Sequence, residues 1–90
     1  MRRRRPVVIS DVRANTRMAR MYRSINRGYM RRPSHRDIRA WLAVPLAVKD
    51  RVIGLLSLSQ DVPAFFTPAH VELATAFANQ AAVAMENARL

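Results

Sequence analysis

The sequence predicts an α+β fold, an antiparallel sheet with flanking helices. Two features of the C-terminal half predict it. Ala40 to Leu58 holds two apolar runs separated by a short polar turn, and Pro68 to Leu90 repeats apolar residues at helical spacing. A third feature, thirteen of the sixteen basic residues packed between Arg2 and Arg39, sets the N-terminal half apart.

The elements follow in chain order. Met18, Met21, Tyr22 and Ile25 form one helical stripe, which Gly28 is expected to stop. Met30 to Ser34 contains Pro33 and reads as a loop. Ala40 to Val48 is then apolar throughout. Leu42, Val44, Leu46 and Val48 alternate onto one face, and Trp41, Ala43 and Ala47 onto the other. Lys49-Asp50-Arg51 makes a turn of hairpin length. On the return strand Val52, Gly54, Leu56 and Leu58 repeat the alternation. Both faces are apolar, so both should be covered. Pro45 has no N–H for a ladder and belongs at an edge or a bulge. Gly54 marks either a close approach of backbone or ligand or, as the commoner choice, helix-on-sheet packing.

The last element is marked at its start. Thr67 suits an N-cap, and Pro68 suits the first helical position, where a missing N–H costs nothing. Val71, Ala74, Ala78, Ala81, Met85 and Ala88 recur every three or four residues, and Leu73, Phe77 and Ala84 widen the stripe. Phe77 is therefore expected in the core. The alanines should let the partner layer come close. No proline or glycine stops this helix before Leu90, so a helix running on into the linker of a longer parent is expected.

These residues resemble a known family. Ile38-Arg39-Ala40-Trp41-Leu42-Ala43-Val44-Pro45-Leu46 is similar to the penultimate strand of a GAF domain, and Val52-Ile53-Gly54-Leu55-Leu56-Ser57-Leu58 to its last strand. Phe66-Thr67 and the helix ending Glu86-Asn87-Ala88-Arg89-Leu90 resemble the closing helix of bacterial members. Pro6 to Asp11 resembles a strand and turn found upstream. The match covers nearly the whole chain and is weakest from Val12 to Asp37. Ala43 stands where the family commonly has glycine. The resemblance implies a GAF/PAS-like antiparallel sheet that is incomplete at its N-terminus, with the opening helix and first two strands missing. Residues 1–5 then form a basic tail, and 6–90 a partial domain. By the same resemblance the return strand lacks its usual neighbour, so its open edge should favour self-association.

The resemblance also carries the functional expectations. It implies a sensory or regulatory module of a signalling protein such as a histidine kinase, a cyclic-dinucleotide enzyme or a transcriptional regulator. Such a module binds a small ligand or mediates dimerisation, and passes the signal through its final helix to an output domain in a parent or partner protein. The middle segment would line the pocket, which makes Tyr29, His35 and Trp41 the candidate ligand-binding residues. No cofactor is identified by the residues. Haem through His35 is an option the family offers, and a cysteine-linked bilin is excluded because the chain has no cysteine.

Composition agrees. Half of the 90 residues are hydrophobic, enough for a core. Without cysteine there is no disulfide, thiolate zinc site or thiol nucleophile. No run approaches the ~20 apolar residues of a membrane span, and no apolar segment follows the basic N-terminus to make a signal peptide. The cytoplasm is the expected compartment. Two glycines cannot build a phosphate-cradling loop, and no Ser-His-Asp order or carboxylate pair is visible, so an enzyme is not expected. His70, in the first turn of the last helix, reads as structural. The net charge of +10 rests on fifteen arginines against one lysine. That bias reads first as a solvated face, and second as a nucleic-acid or anionic-membrane patch. A nucleic-acid-binding module is thus the competing function, and a degenerate fragment without one is the third reading.

Overall fold

The computed structural model describes residues 5–27 and 37–88. The chain runs β1 (Val7–Ile9), α1 (Arg17–Ile25), β2 (Ala40–Val48), β3 (Arg51–Gln60) and α2 (Pro68–Ala88). The three strands form one antiparallel sheet in the order β1-β2-β3. The expected α+β fold and its hairpin are present. The strand and turn expected by resemblance at Pro6 to Asp11 are present as β1, paired Val7 to Ala43 and Ile9 to Trp41.

Alternation along β2 divides the core in two. Leu42, Val44 and Leu46 face α2 and pack against Ala74, Ala78 and Ala82. On the opposite face Ile9, Val12, Ala19, Tyr22 and Ile38 form a second cluster, with Trp41 packed against it. Helices therefore cover both faces of β2, as its two apolar sides require. The helix α2 lies over β2 rather than over β3. The faces of β3 are left more open, with Leu55 and Leu58 exposed.

Several side chains depart from the simple periodic reading. On α2 the buried line is Ala74, Ala78 and Ala82, and Ala82 was not in the expected stripe. Phe77 is 62% exposed, Leu73 72% and Met85 about half. A backbone close to the sheet admits only methyl groups along its centre line, so the large residues stand on the flank. On α1 the buried residues are Ala19 and Tyr22, while Met18, Met21 and Ile25 of the expected stripe are exposed. The helix ends at Ile25, before Gly28. Asn26 caps it, donating both its backbone N–H and its Nδ2 to the Tyr22 carbonyl.

The hairpin turn is two residues rather than three, because Val48 pairs with Arg51. Lys49 takes φ 55°, as the first central residue of a primed turn must. A bulge lies between the Leu46–Gly54 and Ala47–Val52 pairs. It gives the α2 face to Ile53 in place of Val52. A Cβ on Gly54 would lie 3.0 Å from Leu46 Cδ1, so the glycine makes room for its cross-strand neighbour and not for the helix. Pro45 is tolerated because β1 ends opposite Ala43, leaving that side of β2 without a ladder partner among the described residues.

Local polar contacts fix both helix starts. The Thr16 hydroxyl accepts from Ala19 N–H at 3.1 Å. At α2 the Thr67 hydroxyl accepts from His70 N–H, and His70 Nδ1 accepts from Thr67 N–H at 3.0 Å. This is a capping box in which histidine replaces the usual Glu or Gln. The expected structural role of His70 takes this form.

An ion pair ties the turn after β1 to the start of β2. Arg39 donates through Nε and Nη2 to both oxygens of Asp11, at 2.9 and 2.7 Å. Asp11 also accepts from Arg13 N–H. The Arg39 guanidinium, helped by that amide, holds the Asp11 carboxyl at about 2. A folded-state value below the unfolded ~4 stabilises the protein above about pH 4 and ceases to do so as pH falls through 2. The stability gap between wild type and Asp11→Asn should therefore close between about pH 4 and pH 2 in urea melts. A gap independent of pH would show that the pair contributes nothing through charge.

Candidate functional site

The α1 face of the sheet carries the candidate site. Trp41 projects from β2, and Tyr22 from α1 meets it with ring centroids 5.2 Å apart and planes tilted by 56°. Trp41 Nε1 donates to Ser57 Oγ on β3 at 2.7 Å, which fixes the indole across the two strands. Around this pair Asn26, Ile38 and Ser59 close a cleft of about 140 Å³. At ~30 Å³ per molecule that volume holds about five waters, and it is smaller than the ~300 Å³ at which drug-sized pockets begin. Ile38 and Ser59 also line a shallower depression of about 360 Å³ with Asp37, Gln60 and Asp61. The two spaces adjoin. One end is aromatic, the middle carries serine hydroxyls, and the far end carries two carboxylates.

Of the residues expected to bind ligand, Trp41 lines this cleft. Tyr29 and His35 lie outside the described residues, as does the haem option that rests on His35. Tyr22, Asn26, Ser57 and Ser59 were not singled out as site residues. The periodicity places Tyr22 in a core stripe, and the serines are visible only once β3 is registered against β2. Among the described residues no group of three or more His, Asp or Glu is placed to hold a metal ion.

Two of the basic residues have structural roles. Arg23 Nη1 donates to the carbonyls of Val12 and Ala14 at 2.7 and 2.9 Å, clamping the turn after β1 onto α1. Arg39 is held by Asp11.

A sequence model of the GAF domain matches residues 1–85. The chain belongs to the GAF domain family. Among solved structures, the GAF chain is similar to a domain from a protein assigned as a two-component sensor histidine kinase of Sinorhizobium meliloti 1021, with a TM-score of 0.66 and 20% identity. The alignment covers 96% of this chain and 54% of that one, so the chain spans about half the length of its structural neighbour. At that identity the likeness concerns the fold. No curated protein matches the chain. Among the described residues no helix is long and apolar enough to cross a membrane.

Proposed function

We propose that this GAF chain is a sensory, non-enzymatic module that binds a small ligand at the Trp41 cleft and relays occupancy to α2. The observation that carries the reading is the position of β2 between the two sites. Trp41 faces the cleft, and the next residue, Leu42, lies fully buried beneath α2. Neighbouring residues in a strand point to opposite faces. A ligand that shifts Trp41 therefore strains the residue on which α2 rests, and its differential affinity for the two positions of α2 sets the size of the response. Family membership supports a regulatory role, with the output in a parent or partner protein.

The cleft chemistry suits a small planar ring bearing a hydrogen-bond donor or a positive charge. The ring would lie against Tyr22 and Trp41, and the donor or charge near Asp37 and Asp61. Trp41 is the sole tryptophan, so its emission reports on the cleft directly. Titration with phenethylamine and with adenine should change that emission and raise the melting temperature. A ligand at one hundred times its Kd adds about 2.7 kcal/mol. Binding should also alter hydrogen exchange along Ala74 to Ala82. If neither probe changes the emission at millimolar concentration, or if binding leaves α2 untouched, the proposal fails.

The nucleic-acid reading has less support, since Arg23 and Arg39 are engaged within the fold. Any binding by the remaining arginines should be weak and fall steeply with salt.

A further inference from the structure

The outer side of α1 is a surface that the Trp41 cleft does not use. Ala19 and Tyr22 turn inward, onto Ile9, Val12 and Ile38. Met18, Met21 and Ile25 recur at spacings of three and four and share one outward stripe. The two methionines are nearly half exposed, and Ile25 is 75% exposed. Arg17 lies four residues before Met21, and Arg20 three residues after Arg17, so an exposed basic row borders the apolar one. Arg20 also donates to Asn15 Oδ1 at the start of the helix, which leaves its charge in place. Exposed Arg13 and Arg27 flank the helix in sequence. Between Asp11 and Asp37 the chain has eight arginines and no acidic residue. A single exposed apolar side chain needs no explanation, but three on one stripe beside a row of cations form a surface suited to a partner.

We propose that this face of α1 lies flat on an anionic lipid bilayer, with Met18, Met21 and Ile25 below the headgroups and Arg17 and Arg20 among the phosphates. Three observations favour this occupant. The first is the pairing of chemistries. A bilayer surface offers anionic phosphate and, about 5–10 Å deeper, hydrocarbon. An arginine stem is long and apolar, so it keeps the guanidinium at headgroup level while its neighbours sit deeper. A nucleic acid would meet the arginines equally well. It would offer the three apolar side chains nothing to enter.

The second is that α1 is folded before it meets the membrane. An isolated peptide of nine residues is too short to hold a helix in water. Here the Thr16 and Asn26 caps, the Arg23 clamp and the burial of Ala19 and Tyr22 hold it. Binding therefore carries no cost of ordering the helix. At 1.5 Å per residue α1 is about 14 Å long, a length that rests on a bilayer rather than crosses it. The third is position. The helix packs on the sheet face opposite α2, and its stripe turns away from the sheet altogether. That stripe does not border the outer edge of β3, where by resemblance the family's first strand would stand. Docking through α1 thus leaves α2 accessible to an output domain.

Flotation of the full 90-residue chain with vesicles tests this, because bound chain rises with the lipid and aggregates do not. The chain should float with vesicles of phosphatidylcholine and phosphatidylglycerol in about a 3:1 ratio, and bind phosphatidylcholine alone about tenfold or more weakly. Met18→Ser together with Met21→Ser keeps the charge and should weaken binding about tenfold. Arg17→Gln together with Arg20→Gln should weaken it about twentyfold, at roughly fivefold for each arginine near an anionic surface. All four residues are exposed, so far-UV circular dichroism should not change. Val83→Ser, exposed on α2, should bind as the wild type does. Failure to float with the mixed vesicles, or equal binding by the methionine variant and the wild type, would overturn the proposal. So would tighter binding of duplex DNA or polyglutamate than of the mixed vesicles at about 150 mM salt, which would make the face a site for nucleic acid or for an acidic protein. The Trp41 cleft plays no part in these outcomes, since its ligands are followed by fluorescence without lipid.

Discussion

Leu42→Ala should cost about 2–5 kcal/mol in urea melts, while Phe77→Ala at low protein concentration should cost less than about 1 kcal/mol. Leu42 is fully buried between β1, β3 and α2, so its removal leaves a cavity that strands on either side resist closing. Phe77 is the bulkier side chain, yet it is 62% exposed on the flank of the helix. For a chain of this length the whole stability is on the order of 5–13 kcal/mol, so the leucine change removes a large share of it. Equal losses at the two positions would mean that α2 is rotated from the orientation described.

The second large effect is expected from adding volume. Ala78 is fully buried at the centre of the α2 line and faces β2 directly. Ala78→Leu inserts three carbons where the helix backbone already lies close to the strand, and should cost about 1–3 kcal/mol or lift α2 from the sheet. Ala76→Leu, two residues away and exposed, is the control and should be near neutral. The readouts are the urea midpoint and the hydrogen exchange of α2. If both leucines are tolerated equally, the close helix–sheet approach is wrong.

These two predictions mark the boundary of what was legible in the residues. The hairpin could be read because two apolar runs of strand length flank one short polar turn. The start of α2 could be read because Thr67 and Pro68 are chemically specific to a helix N-terminus. The orientation of α2 could not be read from hydrophobicity, which ranks phenylalanine and leucine above alanine for burial. Distance of approach overrules that ranking, and distance is a tertiary quantity. On α1 Tyr22 of the expected stripe is buried, but Ala19 shares that face in place of Met18, Met21 and Ile25, which are exposed. The bulge at Ile53 lies beside the close pair of Leu46 and Gly54, and no local pattern announces it. Of the cleft residues, Trp41 stands out in the sequence as the aromatic residue entering a strand. Its neighbours come from two other segments, Tyr22 and Asn26 from α1 and its cap and Ser57 and Ser59 from β3, and only the packing of the sheet brings them together.

The register of β1 also bears on the order in which the molecule assembles. The β2–β3 hairpin closes through a two-residue turn, and α2 follows it with seven residues between. The β1–β2 ladder instead joins Ile9 to Trp41, a loop of more than thirty residues whose closure carries a larger entropy cost. The hairpin and α2 are therefore expected to form the folding nucleus, with β1 and α1 docking late, an order that pulsed hydrogen exchange during refolding would reverse if β1 amides were protected first. During synthesis β1, made before β2 and β3, is then the last of the three to find its place.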